Sequence, residues 1–488
     1  MAGKKLAIFI LLSLELVAIL ALRWPEWRGF SGWAFADWGS NFTLQYLIGI
    51  GLRPGLDFGY PYGLLSALVG RVWFACFGAT PDSYVALMLT CGLTIAWAFA
   101  DIAESVDFGL PAVMLLVVAL PHAIQFIYPN VAHALEAALL ANALALHSRG
   151  RLPAALCLTT AAVFAKPALA FVYGLILLFG ICQRWGRAFV RRLLPAAITA
   201  AVIAAILSEI YGFGSLSRTI IPIAGLSNYR ALGWFGHFAS GFWWRPDLGW
   251  QYYVIGVAGF WIAASLWLAL CTVRAVAASD DRAVVGLVGT CLVLHVAFVS
   301  LMFGNGVSWI YYSYILAIGA AATTLFRREV DRVAAAALIA LALVANFSWL
   351  ANLRLGGRHI PVPGTLGIIV DDADRFKEWL AVQEMVRGHK TVVLTYEGEA
   401  GLLFSSFEKP TVFFLIPGIT LPNEGLRQAR QISDLAVVAM RIDDVMRLPG
   451  ISEAIGGAQE ISRGRYFSVY KVKGAENIEG DHLSALSH

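Results

Sequence analysis

The stretch "YGLLSALVGRVWFACFGA", residues 62–79, decides how the rest of the chain is laid out. It approaches the roughly 20 apolar residues that a straight helical membrane span needs. Arg71 stands in its middle, and a charge at the bilayer centre is costly. If 62–79 crosses, every later apolar segment reverses direction. Five basic clusters arbitrate: Lys4/Lys5, Arg149/Arg151, Arg184/Arg187/Arg191/Arg192, Arg274/Arg282 and Arg327/Arg328/Arg332. Lys and Arg of short loops collect on the cytoplasmic side. All five clusters share one side only if 62–79 does not cross. The stretch therefore reads as an interfacial or re-entrant helix on the extracytoplasmic side.

Composition gives the setting. The 488 residues are 59% hydrophobic and 14% charged, with a mean hydropathy of +0.70. A soluble domain is nearer half apolar and a quarter charged. The chain is expected to be a polytopic α-helical membrane protein. Backbone amides in lipid must pair within their own segment, which favours helices, and the long unbroken apolar runs exclude a β-barrel. Apolar segments lie near 6–23, 83–100, 108–127, 131–147, 152–165, 168–183, 193–210, 251–273, 283–303, 308–325 and 333–352, or about eleven spans. The start, "MAGKKLAIFILLSLELVAILALRW", has the basic head and apolar run of a signal peptide. The following "LALRWPEW" is a poor small-x-small cleavage site, so a retained first helix with a cytoplasmic N-terminus is expected. Parity then places segment 24–82, loop 211–250 and everything beyond about residue 353 outside the cell inner (plasma) membrane. Their Trp and Tyr suit the headgroup level.

From residue 356 the character changes, so the expected domains are a transmembrane unit, 1–355, and a tail, 356–488. "KTVVLTYEG", "KPTVFFLIPG", "DLAVVAMRID" and "YFSVYKVK" read as short strands. "DADRFKEWLAVQEMVRG" reads as an amphipathic helix entered through aspartate caps. A small extracytoplasmic α/β domain is expected. Six cysteines lie in or beside apolar segments and none in the tail, so no disulfide framework is expected there. No residue spacing indicates a metal, and no cofactor is expected. The net charge of +4 marks no nucleic-acid partner.

The segment Phe35–Leu65, "FADWGSNFTLQYLIGIGLRPGLDFGYPYGLL", carries two acids among aromatics, glycines and prolines. Asp37, flanked by Trp33 and Trp38, is either a helix N-cap or solvated loop acid, or a carboxylate poised as general base by its apolar surroundings. Asp57, in "RPGLDFGYP", is either a turn acid paired with Arg53 or a group that orients hydroxyls. Pro61 and Gly63 fix the chain as it enters the next helix. Asn41-Phe42-Thr43 also matches a glycosylation sequon.

The pattern "DWGSNF…QYLIGIGLRPGLDFGYPYGLL" resembles the opening of the GT-C superfamily of integral-membrane glycosyltransferases, which use polyprenyl-phosphate sugars. "RLPAALCLTTAAVFAKPAL" (151–169) and the tail stretch "YEGEAGLLFSSFEKPTVFF" (396–414) are similar to the same family's later segments. The likeness is closest to the mannosyl- and aminoarabinose-transferase members. Asp37 is followed by Trp38 and Gly39, so the usual paired acids of the family are absent.

The resemblance implies an inverting transfer of a monosaccharide from a polyprenyl-phosphate donor to a hydroxyl on an envelope glycan, lipid or protein. Asp37 would be the base on the acceptor hydroxyl. The leaving phosphate needs cations, and Arg218, Arg230, Arg245 and Lys166 are the candidates; a headgroup contact is the alternative for each loop arginine. His133 and Glu136, three apart on one helix face, are either a mutually satisfied pair or a polar cavity wall. Tyr60 is expected at the substrate, and Tyr311 and Tyr312 form an aromatic belt or a ligand surface. No cytoplasmic loop holds a nucleotide-sugar domain, which fits a lipid-linked donor. The rivals are a lipid-linked oligosaccharide ligase or polymerase, and a lipid or glycan transporter. A transporter would show inverted repeats or paired broken helices, and the sequence shows neither.

Overall fold

Charges at the two ends of the first long helices fix how the chain runs. The structure, a computed structural model, describes residues 2–30, 37–58, 60, 62–125, 130–220, 263–274, 282–301, 313–326, 329–351, 360–361, 367–395, 411–414, 434–439 and 458–471. Helix α1 (Ala2–Trp27) leaves an end where Lys4 pairs with Asp107 at 2.6 Å and Lys5 pairs with Asp101. It arrives at an end where Arg28 meets Asp82 at 2.5 Å. Between these partners come α2 (Asp37–Gly49), α3 (Leu64–Phe77) and the start of α4 (Pro81–Ser105). Helix α4 runs from Asp82 back to Asp101, antiparallel to α1. Residues 28–80 thus begin and finish at one end of the bundle. Fourteen residues of α3 are about 21 Å long, short of the roughly 30 Å hydrocarbon core.

The remaining helices follow the same up-and-down logic. They are α5 (Leu110–Gln125), α6 (Val131–Ser148), α7 (Leu152–Ala165), α8 (Pro167–Trp185), α9 (Phe189–Tyr211) and the short α10 (Phe213–Ile220). Then come α11 (Ala263–Arg274), α12 (Arg282–Leu301), α13 (Ser313–Thr323) and α14 (Glu329–Ala351). Arg149, after α6, binds Asp101 at 2.7 Å and Glu104 at 2.9 Å, and Arg184 donates to the Gly150 carbonyl at 3.0 Å. The loops carrying Arg149 and Arg184 therefore gather at the Lys4/Lys5 end. Four described stretches are long and apolar enough to cross a membrane: Gly3–Leu22, Pro81–Ser105, Val131–Ser148 and Leu169–Tyr211. Seven shorter apolar helices accompany them. Leu14, Phe171, Phe179, Ile198 and Val202 stay exposed on the outer faces, as lipid contact allows. The fold is a multi-pass helical membrane bundle carrying a small sheet.

Local sequence explains the helix starts. Thr80 accepts from Ser83 N at 3.1 Å, with Pro81 in the first turn of α4. Asn130 caps α6 by accepting from Ala132 N at 2.8 Å. Helix α2 lies inside the segment expected to be loop. Its buried residues include Ser40, Asn41 and Thr43 as well as Phe42, Leu44, Leu47 and Ile48. Burial on several faces erases the one-sided apolar stripe that would mark it in sequence.

In the tail, strands β1 (Ile360–Pro361) and β2 (Ile369–Val370) form a ribbon. Helix α15 (Ala373–Val386) starts where Asp372 accepts from Arg375 N at 3.0 Å. Strands β3 (Thr391–Thr395), β4 (Thr411–Phe414), β5 (Leu435–Ala439), β6 (Gln459–Arg463) and β7 (Phe467–Lys471) make a mixed sheet of order β4-β3-β5-β7-β6. Trp379 of α15 is fully buried against Phe467. Glu378 accepts from the backbone N–H groups of Tyr466 at 2.8 Å and Phe467 at 2.7 Å. The tail docks beside α1's far end: Ile369 N donates to Arg28 O at 2.8 Å, and Phe30 meets Phe376 edge to face. The sheet's edge strand β4 also touches α2. The tail and residues 28–80 thus share one end of the bundle, away from the basic loops.

Candidate functional site

Helix α2 begins at Asp37. Ser40 and Asn41, three and four residues on, share its face. Asn41 is locked in place: Val131 N donates to its Oδ1 at 3.1 Å, and its Nδ2 lies 3.5 Å from the Tyr84 hydroxyl. It is 5% exposed, so Asn41 holds α2 against α4 and α6 and is closed to glycosylation. Ser40, Asn41 and Asn130 line a small open cleft together with Phe58, Tyr60 and Tyr62.

The segment after α2 turns tightly. Gly55 sits at φ 75°, where a side chain would be strained, and its N–H donates to Phe58 O at 2.8 Å. Asp57 accepts from Arg53 three times: from Nε at 3.0 Å, Nη2 at 3.1 Å and the backbone N at 2.7 Å. The hydrogen-bonded Arg53 holds the Asp57 carboxyl below the usual carboxylate range. Asp57 therefore takes the turn-acid position of its two expected alternatives. Because its pKa is depressed on folding, the pair's contribution is full above about pH 4 and lost as pH falls through the folded value. Asp57→Asn is expected to lower the thermal midpoint at pH 7, and the difference from wild type should shrink as pH falls below the usual carboxylate range. Helix α10 covers this turn through Ser215 and Thr219, leaving Arg218 exposed.

The cleft backs onto a break between two helices. Helix α7 ends at Ala165, Lys166 is extended (φ −158°), and Pro167 starts α8 in the reverse direction. Pro167 needs no N–H partner at a helix start, and it pushes the residue before it out of helical geometry. The Gly63 N–H donates to the Ala165 carbonyl at 2.9 Å, which pins the entry of α3 onto this hairpin. Lys166 then reaches inward. Its Nζ lies 2.7 Å from His133 Nδ1 and 3.6 Å from Glu136 Oε2. His133 Nε2 lies 3.5 Å from the Tyr62 hydroxyl, with the two rings edge to face at 5.4 Å. Tyr60 packs edge to face on Tyr62, and its hydroxyl, 2.8 Å from Ser66 Oγ, is pushed up by burial.

Glu136 is 1% exposed and Lys166 11%. Breaking a buried ion pair from one side costs about 3–5 kcal/mol, because the other charge stays behind. Lys166→Met is expected to destabilise by about 3 kcal/mol, and adding Glu136→Gln to recover most of it. Chemical unfolding of the single and double variants checks both.

The structure thus brings four expected residues together: Tyr60 on the cleft wall, with Lys166, His133 and Glu136 immediately behind Tyr62. Asp37 opens the helix that supplies Ser40 and Asn41 to the cleft, and Asp57 and Arg218 lie on the turn after α2 and on α10. Arg230, Arg245, Tyr311 and Tyr312 fall outside the described residues.

No protein-family model matches the sequence, and no curated protein matches it. Solved structures do. ArnT from Cupriavidus metallidurans in its apo state is 12% identical, with a TM-score of 0.52 over 94% of this chain and 97% of its own. The same protein bound to undecaprenyl phosphate gives 0.54, at 12% identity over 95% and 98%. The chain shares its fold with ArnT. An oligosaccharyltransferase from Archaeoglobus fulgidus, solved with zinc and sulfate, is 13% identical over 95% of this chain and 73% of its own, with a TM-score of 0.49.

Sequence reading passed over Ser40, Asn130 and Tyr62 as site residues. Asn130 had a legible signal, since it directly precedes the apolar run of α6 and so reads as an N-cap. Tyr62 had none, because its importance comes from His133, 71 residues away.

Proposed function

We propose that the protein is an inverting glycosyltransferase that moves a monosaccharide from a polyprenyl-phosphate donor to a hydroxyl of a cell-envelope glycan, lipid or protein. The reaction runs on the extracytoplasmic side of the inner membrane, the N-terminus is cytoplasmic, and the tail domain lies outside beside the acceptor. The observation that carries this reading is the buried Lys166–His133–Glu136 cluster behind Tyr62, at the end of the bundle away from the basic loops. The GT-C fold supports it.

Asp37 takes the proton from the acceptor hydroxyl as that oxygen attacks the anomeric carbon from the face opposite the phosphate. Lys166 supplies positive potential to the phosphate end, and Arg218, Arg230 and Arg245 add to it from the rim. Tyr60 supports the sugar ring, while Tyr311 and Tyr312 contact the ligand or headgroups. Asp57 shapes the rim through Arg53.

The test uses the full chain in liposomes with polyprenyl-phosphate monosaccharides labelled in the sugar and a soluble hydroxyl acceptor. Formation of a glycoside of inverted anomeric configuration, with release of polyprenyl phosphate, is expected. Activity only with oligosaccharides linked through pyrophosphate would move the protein to the ligase class.

A further inference from the structure

The cations at the Lys4/Lys5 end of the bundle fall into two groups. Lys4 is neutralised within the chain by Asp107, Lys5 by Asp101, and Arg149 by Asp101 and Glu104. The connection from α8 to α9, "RWGRAFVRR" (184–192), carries Arg184, Arg187, Arg191 and Arg192. All four are exposed. Among the described residues, none of the four forms an ion pair with a carboxylate. Arg191 and Arg192 stand in the first turn of α9, which holds no acid. That end of a helix is already positive, so cations there are unfavourable. Four like charges in nine residues repel one another, and an anion from outside the chain relieves the repulsion.

The local geometry gathers these charges. Gly186 turns the chain sharply at φ 49°. The guanidinium carbons of Arg184 and Arg192 lie 4.9 and 5.4 Å from the centre of the same Trp185 ring. Arg184 also donates to the Gly150 carbonyl at 3.0 Å. Large apolar side chains stand open on the same two helices: Phe179 is 65% exposed, Val190 62% and Leu194 59%. Val190 and Leu194 share a face of α9 one turn apart. A soluble anion would neutralise the arginines and leave this surface in water. A lipid answers both, with phosphate at the guanidinium groups and acyl chains on the apolar faces. Tryptophan suits the boundary between the two.

We propose that the α8–α9 connection binds an anionic phospholipid, its phosphate held by Arg187 and Arg191 and its chains lying along Phe179, Val190 and Leu194. In the topology proposed above this is a lipid of the inner leaflet. The site is separate from the cleft and independent of the donor and acceptor.

Native mass spectrometry of the full chain in non-ionic detergent tests it, with phosphatidylglycerol and phosphatidylcholine of identical acyl chains as probes. Wild type is expected to bind phosphatidylglycerol at least 10-fold more tightly. Arg187→Gln/Arg191→Gln is expected to weaken phosphatidylglycerol about 30-fold, or about 5-fold per arginine, and to leave phosphatidylcholine unchanged. Lys4→Gln, which removes a cation already paired with Asp107 at the same end, is expected to leave both lipids unchanged. Equal binding of the two lipids by wild type overturns the proposal. A loss in the arginine variant no greater than in Lys4→Gln overturns the placement. Displacement of the lipid by an equal concentration of glycerol phosphate makes the site one for soluble anions and overturns the lipid assignment. If the glutamine pair does not fold, Arg187→Lys/Arg191→Lys keeps the charge and loses the planar fork. An undiminished preference for phosphatidylglycerol in that variant overturns the arginine contacts. Failure of sugar transfer in the liposome assay bears on the proposed reaction and leaves this binding measurement standing.

Discussion

Asp37→Asn is expected to reduce sugar transfer by about 10²–10⁴-fold, the range that a positioned general base contributes. Asp37 is the first residue of α2, and Ser40 and Asn41 of the cleft wall lie one turn further on the same face. Asparagine matches aspartate in size and is as good at a helix start, so α2 and the cleft wall are expected to persist. What it loses is the lone pair basic enough to take a proton. The rate should fall while the affinity for polyprenyl phosphate and the thermal midpoint stay at wild-type values. Those three quantities, measured on one preparation, separate a lost base from a lost fold. Wild-type transfer rates in Asp37→Asn would remove this carboxyl from the chemistry.

Gly63→Ala is expected to have the largest structural effect of any single methyl. A Cβ at Gly63 would lie 2.0 Å from the Phe164 carbonyl oxygen and 2.4 Å from its carbon. Both atoms are backbone, so no side chain can swing aside. Either α3 lifts off the α7–α8 hairpin or the hairpin opens, and the Gly63–Ala165 hydrogen bond is lost with it. Overpacking of this kind costs about 3 kcal/mol or more. The site suffers too, because Tyr62 is the preceding residue and Lys166 is the turn of that hairpin. A lowered thermal midpoint together with lost transfer is expected. Gly49→Ala is the control: nothing lies within 4 Å of its added Cβ, and a midpoint near wild type is expected. If both substitutions behave alike, the close approach at Gly63 is not what anchors α3.

Much of the architecture was legible because membrane burial writes itself into composition. Long apolar runs gave α4, α6 and α9 nearly to their ends, and asparagine, threonine and proline punctuated the starts. Four of the five strands of the mixed sheet were visible as short apolar β-branched runs. The fifth, β6, reads "QEISR" and is largely exposed. An edge strand held by backbone pairing to β7 needs no buried side chains, so pattern reading had nothing to detect. Helix α2 escaped for the opposite reason, since its polar residues Ser40, Asn41 and Thr43 are buried alongside its apolar ones.

By itself, the sequence determined that this chain is a helical membrane protein and that its tail carries short strands and an amphipathic helix. Those properties depend on local composition summed along the chain. The parity of the basic clusters already returned residues 28–80 to the end they left, and the Arg28–Asp82 pair is the contact that closes that return. Only the tertiary structure brought Tyr62, His133 and Lys166 together. Hydrogen bonds between residues tens of positions apart depend on which helix ends meet, and no local pattern in the chain encodes that meeting.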